Sequence, residues 1–214
     1  MRFKIGLAAV ITLILLAYTP ALAGEMLIDD FKLQPETRWR FFADTVMGGV
    51  SSGRVQFVSE DGHAYAQMTG RVSTDNRGGF IQIRLKLQDT PPENTVGIRL
   101  IVRGNDQRYF VHLRTGGTIL PWQFYQAGFD VTRTWTEVRL PLTEFKASGP
   151  ILRNIPRASS LTSIAIAAYG RNHDAESASA KSASTRPTYH CGRSPSRSAL
   201  AGHQSDNSGR PAMP

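Results

Sequence analysis

Phe80-Ile81-Gln82-Ile83-Arg84-Leu85-Lys86-Leu87 reads as a half-buried β-strand. From Ile81 on, Ile81, Ile83, Leu85 and Leu87 point one way and Gln82, Arg84 and Lys86 the other, a period of two. The loop Asp75-Asn76-Arg77-Gly78-Gly79 precedes it, and Pro91-Pro92 breaks the chain after it. Working outward, Arg54–Val58 alternates in the same way. It pairs with Ala64–Met68 across Glu60-Asp61-Gly62, where Asp-Gly marks a tight turn, and Arg71 to Ser73 extends the second strand. Met26–Phe31 is a short apolar start followed by acids, and strand signals recur at Trp39–Phe42, Arg108–Arg114, Trp122–Ala127, Trp135–Leu140 and Leu161–Tyr169. Val96–Val102 is continuously apolar and reads as a central strand, and Leu142–Phe145 as a short turn of helix. Roughly eight to ten short strands with turn chemistry between them, and no amphipathic helix of normal length, predict an all-β fold, an antiparallel sandwich or barrel. The strands do not alternate with helical segments, which excludes a parallel α/β sheet.

The chain opens with Met1-Arg2-Phe3-Lys4, an apolar run from Ile5 to Leu16, and Ala21-Leu22-Ala23 before Gly24. This is a secretory signal pattern with cleavage expected after Ala23. The expected location is therefore exported, periplasmic or secreted, with no transmembrane segment after cleavage. The expected domains are the signal at 1–23, one sandwich over 24–174, and a tail over 175–214. One cysteine, Cys191, allows no intrachain disulfide. The formal net charge of +8 is unevenly placed. Arg2 and Lys4 stand in the signal without an acid, and Lys181, Arg186, Arg193, Arg197 and Arg210 stand against Glu176 and Asp206 in the tail, so only three of the eight charges fall to residues 24–174. That balance and the export signal exclude a nucleic-acid partner.

From Ala175 the composition turns to Ser, Ala and Lys, then to Arg, Ser, Pro, Gly and His. A segment so poor in apolar residues is expected to be disordered. His173, His190, Cys191 and His203 match no metal-ligand spacing. A shifted reading frame is a second explanation, because a sandwich needs one more strand after Gly170 and no apolar strand follows.

The densest cluster of special backbone residues is Asp44-Thr45-Val46-Met47-Gly48-Gly49-Val50-Ser51-Ser52-Gly53. Gly48-Gly49 is free to take positive φ, and Asp44 can accept hydrogen bonds from turn amides. No Walker loop, Cys-x-x-Cys pair or His-Glu-x-x-His run is present, so no catalytic residue, metal site or cofactor is assigned. His63 and His112 read as structural, and Asp44, Asp75, Asp106 and Asp130 fall in loops where Asp caps turns. Trp39, Trp122, Trp135, Phe124 and Tyr125 have the chemistry of a sugar platform, although aromatics on strands belong more often to the core.

The run Trp39…Asp44-Thr45-Val46-Met47-Gly48-Gly49-Val50-Ser51 resembles the signature of the complex I intermediate-associated protein 30 family. So does the ordered series Gly78-Gly79-Phe80, Arg103-Gly104 with Arg108-Tyr109, Trp122 with Tyr125 and Phe129, and Trp135 through Leu140-Pro141-Leu142 to Phe145. The resemblance runs from about Phe31 to Gly170. It implies a galactose-binding-like β-sandwich of jelly-roll type that is not itself an enzyme. It also implies a protein partner, since the family includes a mitochondrial factor that helps assemble respiratory complex I. The export signal departs from that setting. The expected function is thus a non-catalytic binding module that stabilises protein partners during assembly of a membrane or envelope complex, with carbohydrate binding as the alternative. Candidate binding residues are Asp44, Met47, Gly48, Gly49, Ser51, Arg103, Arg108 and Trp122.

Overall fold

The computed structural model describes residues 25–60 and 62–186. The segment expected to be a signal peptide and the last 28 residues, with His190, Cys191 and His203, lie outside the described residues. Twelve strands form two six-stranded sheets. In chain order they are β1 (Met26–Asp29), β2 (Trp39–Ala43), β3 (Ser52–Glu60), β4 (His63–Val72), β5 (Phe80–Lys86) and β6 (Gly97–Gly104), then β7 (Arg108–Thr115), β8 (Tyr125–Asp130), β9 (Thr136–Pro141), β10 (Lys146–Ala147), β11 (Leu161–Tyr169) and β12 (His173–Thr185). The first sheet runs β3-β4-β12-β6-β9, with β1 also on β12; the second runs β10-β8-β7-β11-β5-β2. Every pairing is antiparallel. The fold is the expected antiparallel jelly-roll sandwich.

The alternation that opened the reading fixes the second sheet. Ile81, Ile83 and Leu85 of β5 lie opposite Ala168, Ile166 and Ile164 of β11, and Ile164 and Ile166 lie opposite Leu113 and Val111 of β7. Residues directly opposite in an antiparallel pair share a face, so these side chains form one inward layer. Trp39, Tyr109, Tyr125 and Phe145 complete it, all nearly inaccessible to solvent. Each such buried aliphatic contributes about 1.5–3 kcal/mol. The β3–β4 hairpin closes at Glu60 opposite His63, with Gly62 at φ 76°, as its Asp-Gly turn predicts.

Two expectations are corrected. Residues 175–185 are not a disordered tail: they form most of β12, the strand at the middle of the first sheet, bonded to β4 on one side and β6 on the other. The domain therefore extends past residue 174, and the open sheet edge that suggested a shifted frame is absent. The physical reason is that a central strand satisfies its backbone on both sides, so ladder hydrogen bonds hold a segment that carries little apolar surface. Its core-facing positions show the cost. Ser177 opposes Met68, Ser179 opposes Val102, Ser182 opposes Leu100 and Ser184 opposes Ile98. All four are buried, and the hydroxyls of Ser179, Ser182 and Ser184 have no hydrogen-bond partner among the described residues. The second correction concerns Trp122–Ala127, where the strand begins only at Tyr125 and Trp122 stands in the preceding loop.

Candidate functional site

The Asp44–Gly53 loop is a buried polar knot. Asp44 opens a short 3-10 turn through Met47, and Gly48 closes it at φ 87°. The Asp44 carboxylate is fully buried. Its Oδ1 accepts the Ser51 amide at 2.9 Å, and Oδ2 accepts the Ser51 hydroxyl at 2.5 Å and the amides of Gly79 at 2.5 Å and Phe80 at 3.2 Å. Burial pushes the carboxyl pKa up, but the bonds from Ser51, Gly79 and Phe80 outweigh it and leave it below its ordinary value. The two glycine loops are thus joined through one charge. Of the Gly48-Gly49 pair, only Gly48 takes positive φ. Gly49 and Gly78 are glycine for a different reason: a Cβ at either would overlap the Asp44 carboxyl group. Asp44, Gly49 and Ser51 are internal, while Val46, Met47 and Val50 are held out to solvent at the tip.

The other predicted residues do not converge on this loop. Arg103, on the outer face of the first sheet, lies 4.7 Å over the Trp135 ring and 5.2 Å over that of Tyr65. Arg108 pairs with Asp130 at 3.1 Å and lies against Gly128, where a Cβ would clash with its guanidinium. The Gly104–Gln107 turn shares an end of the sandwich with Asp44, since Gly79 bonds Gly170 at the end of β11 and Phe110 faces Ala167. Trp122 lies beyond the opposite end, where Thr115 faces Leu161. The length of β11 separates the two ends, about 25–30 Å. Of the five aromatics weighed as a platform, Trp39 and Tyr125 are core.

The Trp122 end exposes several apolar groups, with Arg153 and Arg157 exposed among them. Five large hydrophobic side chains are exposed on two loops there: Ile119 (84%), Leu120 (39%), Trp122 (62%), Ile151 (86%) and Ile155 (48%). Ser148 ties the loops together, its hydroxyl donating to the Trp122 carbonyl at 3.2 Å and accepting the Phe124 amide at 2.9 Å. Arg114 braces the first loop, donating to the carbonyls of Thr118 at 2.8 Å and Leu120 at 3.0 Å. The first loop, with Ile119, Leu120 and Trp122, is therefore braced, and Ser148 anchors the start of the second to it.

The outer face of the second sheet is the other unusual surface. One row crosses all six strands: Arg40, Arg84, Ala165, His112, Gln126 and Lys146. Beside it run Phe42, Gln82, Ala167, Phe110 and Gly128. Phe124 stacks on His112 with ring centres 4.3 Å apart, and Tyr169 meets His112 edge-on at 5.4 Å. His112 and Gln82 are only 6% and 5% exposed, and neither His112 Nε2 nor Gln82 Oε1 has a hydrogen-bond partner among the described residues. Burial, then the Arg84 charge, pushes the imidazole down to about 3, so it is neutral at neutral pH. No single strand reveals this face. The signal was the polar half of the β5 alternation, which becomes a surface only once the register with β7 is known.

Among the described residues no group of three or more His, Cys, Asp or Glu is placed to hold a metal ion. Among the same residues no helix is long and apolar enough to cross a membrane.

The family model described as complex I intermediate-associated protein 30 matches residues 30–174. No curated protein matches the sequence. Among solved structures, the family 11 carbohydrate-binding module of the cellulosomal cellulase Lic26A-Cel5E of Clostridium thermocellum superposes with a TM-score of 0.62 at 15% identity, covering 78% of this chain and 99% of that one. A family 11 carbohydrate-binding module from Clostridium thermocellum, in complex with a β-1,3-1,4-mixed-linked tetrasaccharide, gives 0.61 at 14% identity, covering 76% and 95%. At such identities the likeness is one of fold.

Proposed function

We propose, from the premise that the chain belongs to the complex I intermediate-associated protein 30 family, that it is an exported, non-catalytic module that binds a protein partner during assembly of a membrane or envelope complex. The observation that carries this reading is the Trp122 end. Ile119, Leu120, Trp122, Ile151 and Ile155 expose large apolar side chains on two loops joined through Ser148. Exposed apolar groups gathered in this way mark interaction surfaces, and a pre-ordered loop loses less entropy on binding than a slack one. Val46, Met47 and Val50 at the far end offer a second, smaller contact. The test is crosslinked capture of the tagged protein from cell envelopes, wild type beside Trp122→Ala/Ile151→Ser. A defined set of subunits recovered by the parent and lost by a variant with an unchanged melting temperature supports the reading. Equal recovery by both proteins removes the Trp122 end from it.

Carbohydrate binding is the second reading. It is favoured by the fold shared with carbohydrate-binding modules and by the outer face of the second sheet, where aromatic rings stand beside amide, imidazole and guanidinium groups. That mixture of apolar lining and a few placed polar groups is what small-ligand sites require.

A further inference from the structure

We infer that the outer face of the second sheet binds an acidic saccharide, with Arg84 taking a uronate carboxylate and Gln82 and His112 its hydroxyls. The inference rests on the carbohydrate reading and is independent of the apolar end around Trp122.

Charge points to an anion. Arg40, Arg84, Lys86, Arg114 and Lys146 all belong to this face by register, and none forms an ion pair among the described residues. Arg40 stands directly opposite Arg84, and like charges across an antiparallel pair are destabilising. Arg84 lies 5.0 Å over the Phe42 ring, held by a cation–π contact rather than by a carboxylate. Burial, then the Arg114 charge, lowers its pKa. The central strand permits this crowding, because beside Arg84, Lys86, His112 and Arg114 β11 places the small residues Ser163 and Ala165, its one large outward side chain, Tyr169, standing at the far end. Guanidinium groups take carboxylates in a two-point fork.

Unpaired polar atoms point to a ligand rich in hydroxyls. A buried polar side chain is normally bonded, yet His112 Nε2 and Gln82 Oε1 are not. A neutral imidazole and an amide together offer both a donor and an acceptor, which suits a hydroxyl. The rings of Phe124 and Tyr169 beside them supply apolar surface for a sugar face. A purely apolar protein surface would leave the Arg84 charge and both orphaned atoms without a partner.

The test uses the labelled protein, titrated with a galacturonate tetrasaccharide and, in parallel, with the neutral galactose tetrasaccharide, and followed by NMR. The expected result is saturable binding of the acidic sugar with shifts at Gln82, His112, Ala165 and Ala167. The neutral sugar should bind at least about tenfold more weakly, and added salt should weaken the acidic one. Arg84→Gln, which breaks no internal ion pair, should cost about tenfold in affinity with melting unchanged. Equal affinity for the two sugars overturns the acidic preference and leaves the carbohydrate reading standing. No shift with either sugar overturns both. Tighter binding of a thymidine octanucleotide at the same residues also overturns the proposal.

Discussion

Asp44→Asn tests the polar knot with a substitution that keeps shape and removes charge. The carboxylate is fully buried and accepts four hydrogen bonds, one on Oδ1 and three on Oδ2. A carboxamide has a single acceptor oxygen. Keeping that oxygen at the Oδ2 position turns the Asn NH2 against the Ser51 amide, donor to donor, and strands a buried N–H. The reverse orientation strands two backbone N–H groups, those of Gly79 and Phe80. One lost charge-assisted bond costs about 1.5–3 kcal/mol and one stranded buried donor about 1–3 kcal/mol. The total expected is about 3–5 kcal/mol, which for a domain of this size lowers the melting temperature by about 8–15 °C. Calorimetry or circular dichroism at pH 7 reads it directly.

The pH dependence gives a second readout of the same knot. The folded-state pKa of Asp44 lies below its unfolded value. Its contribution is therefore present above the unfolded pKa, about 3.9, and is lost as pH falls through the folded value. The gap between wild type and Asp44→Asn should be full at neutral pH and shrink below about pH 4. A variant that melts within about 2 °C of wild type at pH 7 would refute the reasoning, as would a gap that widens in acid.

The remaining predictions concern the glycines, the last strand and the gene. Gly49→Ala should destabilise more than Gly48→Ala, because a Cβ at Gly49 meets Asp44 whereas one at Gly48 meets nothing within 4 Å and bears only the φ 87° penalty; paired melts that reverse this order would contradict the structure. Ser182→Ala should leave stability unchanged or raise it by about 1 kcal/mol, because it removes a buried hydroxyl without a partner; a clear loss in urea titration would mean that the hydroxyl is bonded. Ending the chain after Ala175 removes most of β12 from between β4 and β6, and the product should not fold; a cooperative melt would exclude β12 from the native sheet. The family match stops at residue 174, and from Ser177 on the core-facing positions of β12 are serine. If a shifted frame underlies that switch, one of the other two frames past codon 174 should encode an alternating apolar strand; neither doing so would dismiss it.

The strands that alternate apolar with polar were legible because one face of each is buried and the other is not. Ile81-Gln82-Ile83-Arg84-Leu85 and Arg54–Val58 carry a period of two, and the Asp-Gly turn pairs the second with Ala64–Met68, whereas the partners of the first, β11 and β2, are distant in the chain. β12 was hidden for the opposite reason. From Ser177 on its inward residues are serines and its outward ones include Ala178 and Ala183, both buried, so no polarity contrast marks either face. The importance of Asp44 could be read from its glycine neighbours, but its partners Gly79 and Phe80 lie 35 and 36 residues away. That distance is why Gly49 looked like a positive-φ residue and not like room made for a carboxylate. Trp122 was legible as a candidate residue. Its company, Ile119 across to Ile151, depends on the two loops that Ser148 joins.

Site-specific photo-crosslinking tests the proposed function most directly. A photoreactive residue is placed at position 122 in one protein and at position 47, on the opposite end, in another, and each is activated in intact cells. The binding-module account predicts discrete protein adducts from position 122, more abundant than those from position 47. They should disappear when Ile119 and Ile151 are changed to serine. Adducts from position 47 alone, or none from either position above an exposed control such as Gln56 on β3, would contradict it.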